Sequence, residues 1–187
     1  MYIIGIAGKA ESGKTTFGTM LKESFETEGK RVLMINYADA VKYIAKQYYN
    51  WNGEKDEHGR SLLQEIGTEK GREGFYEDVW IMIVNLFINV MRKDFDVFII
   101  GDCRFPNEVY YWKEMPNTYS IKIIRENHIS QLTEEQRQHP SETSLDNFMD
   151  FDFIISNNDG LDKLNEWSKS VVENILSRSC NSNQNML

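Results

Sequence analysis

Apolar positions along this chain fall into two alternating patterns, short continuous runs and amphipathic stretches of helical period, and the alternation predicts the fold class. Tyr2–Ala7 is a short apolar run bounded by glycine, the pattern of a strand buried on both faces of a parallel sheet. Helical periodicity begins near Lys14: Phe17, Met20, Leu21 and Phe25 recur at steps of three and four, and Gly29 stands at a helix C-terminal position. Arg31–Tyr37 predicts a second strand and Ala38–Tyr49 a helix leaving its C-terminal end. Asn50–Gly59 is polar and reads as a loop, Arg60–Ile66 as a short amphipathic helix stopped by Gly67, and 71–74 as a second breaker region. Tyr76–Lys93 is apolar on nearly every side, which predicts a buried helix. Asp96–Gly101 is a third strand, Pro106–Glu114 a helix, Tyr119–Arg125 a fourth strand, Asp152–Ser156 a fifth, and Leu161–Leu176 the last helix. The polar stretch after Arg178 reads as a frayed tail, and no internal repeat is present.

Strands alternating with helices imply an α/β domain: a central five-stranded parallel sheet flanked by helices, with right-handed crossovers and ligands beyond the C-terminal strand ends. Two segments stand outside that core, 50–74 between the second strand and the buried helix, and 126–143 between the fourth and fifth strands. The expected organisation is one domain over 1–178, with core segments 1–49, 75–125 and 144–178, and a flexible tail at 179–187.

Composition changes this picture little. Hydrophobic residues make up 41% and charged residues 27%, ordinary globular usage. The formal net charge of -8 argues against a binder of nucleic-acid polymers, which needs a basic face, but not against a nucleotide held by a few converging cations. Two cysteines, Cys103 and Cys180, make neither a disulfide framework nor a zinc site. The first apolar run is too short for a signal peptide or a membrane span, so a reducing cytoplasm is the expected setting.

Candidate chemistry gathers at predicted strand ends. Gly8-Lys9-Ala10-Glu11-Ser12-Gly13-Lys14-Thr15 matches the phosphate-loop pattern and lies between a strand and a helix, the context that gives the match meaning. Gly8 and Gly13 permit a backbone whose N–H groups point inward, Lys14 brings positive charge to terminal phosphates, Thr15 can ligate Mg²⁺, and the helix adds its positive dipole end. Asp102 and Arg104 follow the third strand. Asp102 can reach Mg²⁺ through water or accept a hydrogen bond from an acceptor, and Arg104 can neutralise a transferring phosphoryl group; an ion pair closing the turn before Phe105-Pro106 is the plain alternative.

Asp39 and Lys42 sit where the second strand enters its helix. Asp39 is either a helix N-cap or a substrate contact, and Lys42 a substrate contact or a solvated lysine. Arg60 and Gln64 share one helix face in the first insert and, with Arg72, are candidates for holding a phosphate and a base edge. Trp80 is either core or a stacking platform. In the second insert Arg125 is the candidate for a closing flap, Arg137 reads as half of a surface ion pair, His139 as structural, and Glu142 stays open between a substrate contact and none.

The order GxxxxGKT, Tyr37-Ala38-Asp39-x-x-Lys42, Arg60-x-Leu62-Leu63-Gln64-x-x-Gly67-Thr68, Trp80, Asp102-x-Arg104-Phe105-Pro106-Asn107-Glu108 and His139-Pro140-Ser141-Glu142 resembles phage deoxynucleoside monophosphate kinases, from Ile3 to about Leu164. The resemblance implies a P-loop kinase with a small NMP-binding insert at 50–74 and a lid at 126–143. It implies ATP as donor, Mg²⁺ as cofactor and a deoxynucleoside monophosphate as acceptor, in the cytoplasm, or the host cytoplasm if phage-encoded. The loop residues Gly8, Ala10, Glu11, Ser12, Gly13, Lys14, Thr15 and Thr16 would then hold the donor, and Asn157 and Asn158 would border its adenine. Lys14, Asp102, Arg104 and Arg125 would act on the transferring group, with Thr15 and Asp102 toward the metal. Asp39, Lys42, Arg60, Gln64, Arg72, Trp80, Arg104 and Glu142 would face the acceptor. Kinases of phosphomevalonate or dephospho-coenzyme A type, and a nucleotide-binding regulatory module without turnover, are the rival readings. No membrane or nucleic-acid partner is expected, and a homodimer is one option for the oligomeric state.

Overall fold

The computed structural model describes residues 1–126 and 130–184, with side chains described through 178. Positions 127–129 of the second insert and 185–187 of the tail lie outside the described residues. In chain order the elements are β1 (Tyr2–Ala7), α1 (Lys14–Thr27), β2 (Val32–Ile35), α2 (Tyr37–Tyr48), α3 (Glu57–Gln64) with a π-helical continuation (Glu65–Glu73), α4 (Val79–Met91) and β3 (Val97–Cys103). There follow α5 (Pro106–Lys113), β4 (Thr118–Ile124), α6 (Glu134–Gln138), α7 (Pro140–Thr143), β5 (Phe153–Ser156) and α8 (Leu161–Gln184).

All strand pairs are parallel, in the order β2-β3-β1-β4-β5. The inner strands read as unbroken apolar runs because helices cover both faces, and successive side chains divide between them. Ile4 and Ile6 of β1 and Val97 and Ile99 of β3 join Phe17, Leu21 and Phe25 of α1 and Val171, Val172 and Ile175 of α8. Ile3, Phe98 and Ile100 turn the other way, onto Tyr37 and Val41 of α2, Trp80, Ile81, Val84 and Ile88 of α4, and Val109 and Trp112 of α5. Parallel strands run the same way, so all five C-terminal ends, and the loops after them, share one edge.

Several expectations need correction. β3 continues through Cys103, so Asp102 is a residue of the strand and not of the loop after it. α3 starts at Glu57, inside the stretch read as loop, because Asp56 caps it by accepting the Gly59 N–H at 2.7 Å. Neither Gly67 nor Gly71 breaks the segment that follows. Trp80 Nε1 donates to the Gly67 carbonyl at 2.7 Å, and a Cβ at Gly71 would lie 2.5 Å from the Trp80 ring. These glycines give the indole room on the helix, and tertiary packing overrides their low helix propensity. α4 buries Trp80, Ile81, Val84 and Ile88 but leaves Met82, Leu86 and Val90 exposed, so it is covered on one side only. The second insert carries the short helix on which Arg137 pairs with Glu134 and a further one, α7, that its polar sequence did not announce, and α8 continues helical to Gln184, through most of the expected tail.

The two glycines make a testable contrast. Gly71→Ala forces a methyl into the Trp80 ring and is expected to lower stability by about 1–3 kcal/mol in urea unfolding. Gly67→Ala meets only Val41 methyls at 3.8 Å and should leave the midpoint unchanged or raise it.

Candidate active site

Each strand end contributes to one edge. The glycine-rich loop leaves β1 and turns into α1 through two positive-φ glycines, Gly8 at 148° and Gly13 at 99°. Glu11 also holds a positive φ, 61°, a conformation that costs a non-glycine residue energy and is retained where its surroundings fix it. They do: Arg60 from α3 reaches Glu11 Oε1 at 3.3 Å, and the Gln131 N–H reaches Oε2 at 3.1 Å. Lys14 folds back on the loop, donating to the carbonyls of Gly8 at 2.7 Å and Lys9 at 2.6 Å. Burial, and then Arg104 nearby, lower its pKa to about 7. Ser12 Oγ is buried with no hydrogen-bond partner among the described residues. Thr15 and Thr16 are exposed at the start of α1.

The loop separates two cavities. A cleft of about 640 Å³ is walled by Lys14 and Thr15, the start of α2, the first insert, Asp102 and Arg104. A smaller one, about 360 Å³, lies toward β4 between Gly8, Ser12, Lys122, Arg125 and Asp146.

The carboxylates along β3 and α5 organise the large cleft. Asp102 accepts from the N–H groups of Tyr37 at 2.8 Å and Ala38 at 2.9 Å, which ties β3 to the N-terminus of α2. Burial pushes its pKa up against the pull of those two donors. The helix cap is Asn36 and not Asp39, which sits at the third helical position and accepts the Asn36 N–H at 3.0 Å while pairing with Lys42 at 3.0 Å. Glu108 is buried in α5 and accepts from the N–H groups of Arg104 at 2.6 Å and Phe105 at 3.1 Å, and from Arg72 at 3.2 Å. Desolvation raises its pKa to about 7, opposed by those same donors. Arg72 is buried, lies 3.8 Å over the Phe105 ring and also donates to Asn107 at 2.7 Å. Arg72, expected in a polar insert, is therefore a fixed wall of the cleft.

Glu142 of α7 completes the edge. Its carboxylate accepts the Ala10 N–H of the loop at 2.8 Å and pairs with Arg104 at 2.8 Å. The second insert also docks on the first: Gln136 Nε2 donates to the Glu57 carbonyl at 3.0 Å, Gln64 reaches the Gln136 carbonyl at 3.5 Å, and His139 meets Glu69 at 3.1 Å. Arg137 pairs with Glu134 at 2.7 Å on the surface, as its spacing suggested. Arg125 is exposed and touches the Glu11 carbonyl at 3.4 Å. Asn157 and Asn158 brace the loops: Asn157 donates to the Ser12 carbonyl at 2.9 Å, and Asn158 accepts the Glu126 N–H at 3.1 Å. Trp80 is core by burial yet still lines the cleft. Asp39, Lys42, Arg60, Gln64, Arg72, Trp80, Arg104 and Glu142 all contribute to or border this one cleft, whereas Asn157 and Asn158 lie behind the loop.

Sequence reasoning gave Glu108 no role and passed over Lys55. Glu108 had a signal, a glutamate at the third position of a helix opened by Pro106. Lys55 had none, because its significance is purely spatial.

A glycine-rich loop opening a helix after the central strand of this parallel sheet, with arginines at the neighbouring strand ends, defines the P-loop kinase class of fold. Residues 33–167 match the model of the deoxynucleotide monophosphate kinase family, and the chain belongs to that family. It is 31% identical over 91 residues to the deoxynucleoside-5'-monophosphate kinase of Escherichia phage T5, a match covering 46% of this chain and 34% of that enzyme. The chain thus spans about a third of the curated relative it matches. Among solved structures it is similar to an unliganded sugar kinase of Janibacter sp., with a TM-score of 0.51 at 10% identity over 92% of this chain and 95% of that one. It is also similar to the APS kinase CysC of Mycobacterium tuberculosis in complex with AMPPNP and APS, with a TM-score of 0.50 at 7% identity over 94% and 97%. At those identities the likeness is one of fold.

Glu108 offers a stability test of the cleft. Glu108→Ala leaves Arg72 buried without its carboxylate and frees two N–H groups, and is expected to cost about 3–5 kcal/mol in chemical unfolding. Glu108→Gln, which keeps an acceptor, should cost clearly less.

Proposed function

We propose that this protein transfers the terminal phosphate of ATP to a deoxynucleoside monophosphate, giving the diphosphate. The observation that carries the reading is a single cleft of about 640 Å³ lined both by the phosphate-loop residues Lys14 and Thr15 and by Lys42, Arg60, Arg72 and Arg104. A donor held by the loop and an anionic acceptor held by those cations would meet beside Arg104. Family membership favours a nucleotide acceptor over phosphomevalonate or dephospho-coenzyme A, and the cations facing the loop favour turnover over a regulatory module.

The loop suits polyphosphate. The chain's own Glu142 carboxylate already sits on the Ala10 N–H, so the loop's donors accept an anion in that place, and the buried Ser12 hydroxyl has no other partner among the described residues. Lys14 would leave the Gly8 and Lys9 carbonyls for the terminal phosphates, and Arg104 would exchange Glu142 for the transferring group. Thr15, exposed at the helix start, would hold Mg²⁺, which offsets charge on the phosphate oxygens when bound; Asp102, committed to Tyr37 and Ala38, would reach it only through water.

The attacking group is an acceptor phosphate oxygen, already ionised near neutral pH, so the reaction needs no general base from the protein. That oxygen forms a bond to the γ-phosphorus as the bond to the bridging oxygen of the leaving ADP breaks. Catalysis then consists of alignment and charge neutralisation. Segment 50–74 would serve as the acceptor insert, with Arg60, Gln64 and Arg72 toward the nucleotide, Asp39 orienting Lys42, and Trp80 as the floor. Segment 126–143 would serve as the lid, bringing Glu142, with Arg125 at its base. The turn at Asn157 and Asn158 would border the adenine by its backbone, its side chains being occupied. ATP and nucleotide pools place such an enzyme in the cytoplasm, the host's if a phage encodes it. No helix among the described residues is long and apolar enough to cross a membrane.

A coupled ADP-release assay across the common NMPs and dNMPs, with phosphomevalonate and dephospho-coenzyme A included, tests the reading; release with none of the nucleotides overturns it. Lys14→Ala should abolish turnover. Arg104→Ala should lower kcat by about a hundredfold or more while changing the KM for ATP much less, since its charge is needed when the phosphoryl group moves.

A further inference from the structure

Six cations line the large cleft: Lys14, Lys42, Lys55, Arg60, Arg72 and Arg104. Five are occupied. Lys14 donates to two loop carbonyls, Lys42 pairs with Asp39 at 3.0 Å, Arg60 with Glu11 at 3.3 Å, Arg72 with Glu108 at 3.2 Å and Arg104 with Glu142 at 2.8 Å. Lys55 is different. Its ammonium makes no ion pair or hydrogen bond among the described residues, and its strongest charged neighbours are Lys42, Arg60 and Arg104, all of its own sign. Desolvation and then those three cations hold its pKa below the usual lysine value, with Asp102 acting weakly the other way.

The backbone keeps Lys55 there in spite of the repulsion. Arg60 Nε donates to the Lys55 carbonyl at 2.9 Å, Trp51 Nε1 to the Glu54 carbonyl at 2.8 Å, and the neighbouring Asp56 carboxylate is spent on capping Gly59. A Cβ at Gly59 would lie 2.2 Å from the Glu54 carbonyl, so a glycine there is what lets the loop close on α3. The backbone on either side of the Lys55 side chain is held, while the residue itself is exposed and lines the cleft. A cation held near three others, with no carboxylate paired to it among the described residues, is favoured by an anion that enters from solution.

We propose that Lys55 is a ligand of the acceptor's phosphate, binding the phosphomonoester dianion on the insert side of the cleft. This rests on the kinase reading above. The donor's phosphates belong with the loop N–H groups and Lys14, whereas Lys55 comes from the first insert, its carbonyl held by Arg60 and its charge in range of Lys42. A chain of net charge -8 repels a nucleotide at long range, and this cluster reverses the potential where the acceptor enters.

Two measurements on the intact protein test the assignment. In steady-state assays Lys55→Met should raise the KM for the deoxynucleoside monophosphate by roughly tenfold or more, leave the KM for ATP within about twofold, and be largely rescued by Lys55→Arg. In competitive acylation of the wild-type protein read by mass spectrometry, a deoxynucleoside monophosphate or inorganic phosphate should protect Lys55. ATP alone or the phosphate-free deoxynucleoside should not. An unchanged acceptor KM in Lys55→Met, or protection by ATP equal to that by the monophosphate, overturns the proposal. If the wild type phosphorylates no nucleotide, the kinase reading fails by itself, and labelling with inorganic phosphate still decides Lys55: protection upholds a phosphate site, and its absence removes it.

Discussion

Positive charge crowded at one edge of a parallel sheet must be held together before any ligand arrives, and carboxylates of this chain do that work. Glu11, Asp39, Glu108 and Glu142 each take one cation of the cleft. The pairs differ in kind. Arg72–Glu108 is buried and keeps its geometry through two backbone N–H groups and the Phe105 ring, so it acts as scaffold. Arg104–Glu142 joins a strand end to the second insert and can be exchanged, because a phosphate oxygen offers Arg104 and the Ala10 N–H what the carboxylate offers now. The same charge balance explains how a chain of net charge -8 presents a cationic cleft.

The sheet supplies the geometry for that arrangement. β1 delivers the loop, β2 the Asn36–Asp39 turn, β3 Asp102 and Arg104, β4 Arg125 and β5 Asn157, all at one edge because the strands are parallel. Asp102 then turns proximity into register by fastening the end of β3 to the first two N–H groups of α2. The first insert is built with equal economy. Its π-helical continuation leans on the Trp80 indole, which is bonded to the Gly67 carbonyl and packed where Gly71 lacks a side chain.

Most of the fold was legible in the chain because its signals are local. The apolar runs Tyr2–Ala7 and Val97–Gly101, the glycine-rich loop and the periodicity of Phe17, Leu21 and Phe25 each state an element within a few residues. What was misread depends on partners distant in sequence. Gly67 and Gly71 look like breakers until Trp80 is placed against them, and Asp102 looks like a residue of the loop until β3 is seen to run through Cys103 with both Asp102 oxygens on the N-terminus of α2. The burial of Arg72 could not be read in advance, because Glu108, its partner 36 positions on, carried no mark of burial in the sequence.

The site follows the same rule with one asymmetry. Residues recognised by pattern, Lys14, Thr15, Arg60 and Arg104, lie in motifs whose spacing encodes their chemistry. Lys55 lies in a polar stretch, Gly53-Glu54-Lys55-Asp56, where nothing local sets it apart. Only folding does: Asp56 turns to cap α3, and the like-charged side chains of Lys42, Arg60 and Arg104 come into range from α2, α3 and the end of β3. A cation that the fold keeps in range of three others, in a cleft whose remaining cations are each engaged, carries information that motifs lack. It marks a place on the first insert where an anion from solution would be favoured.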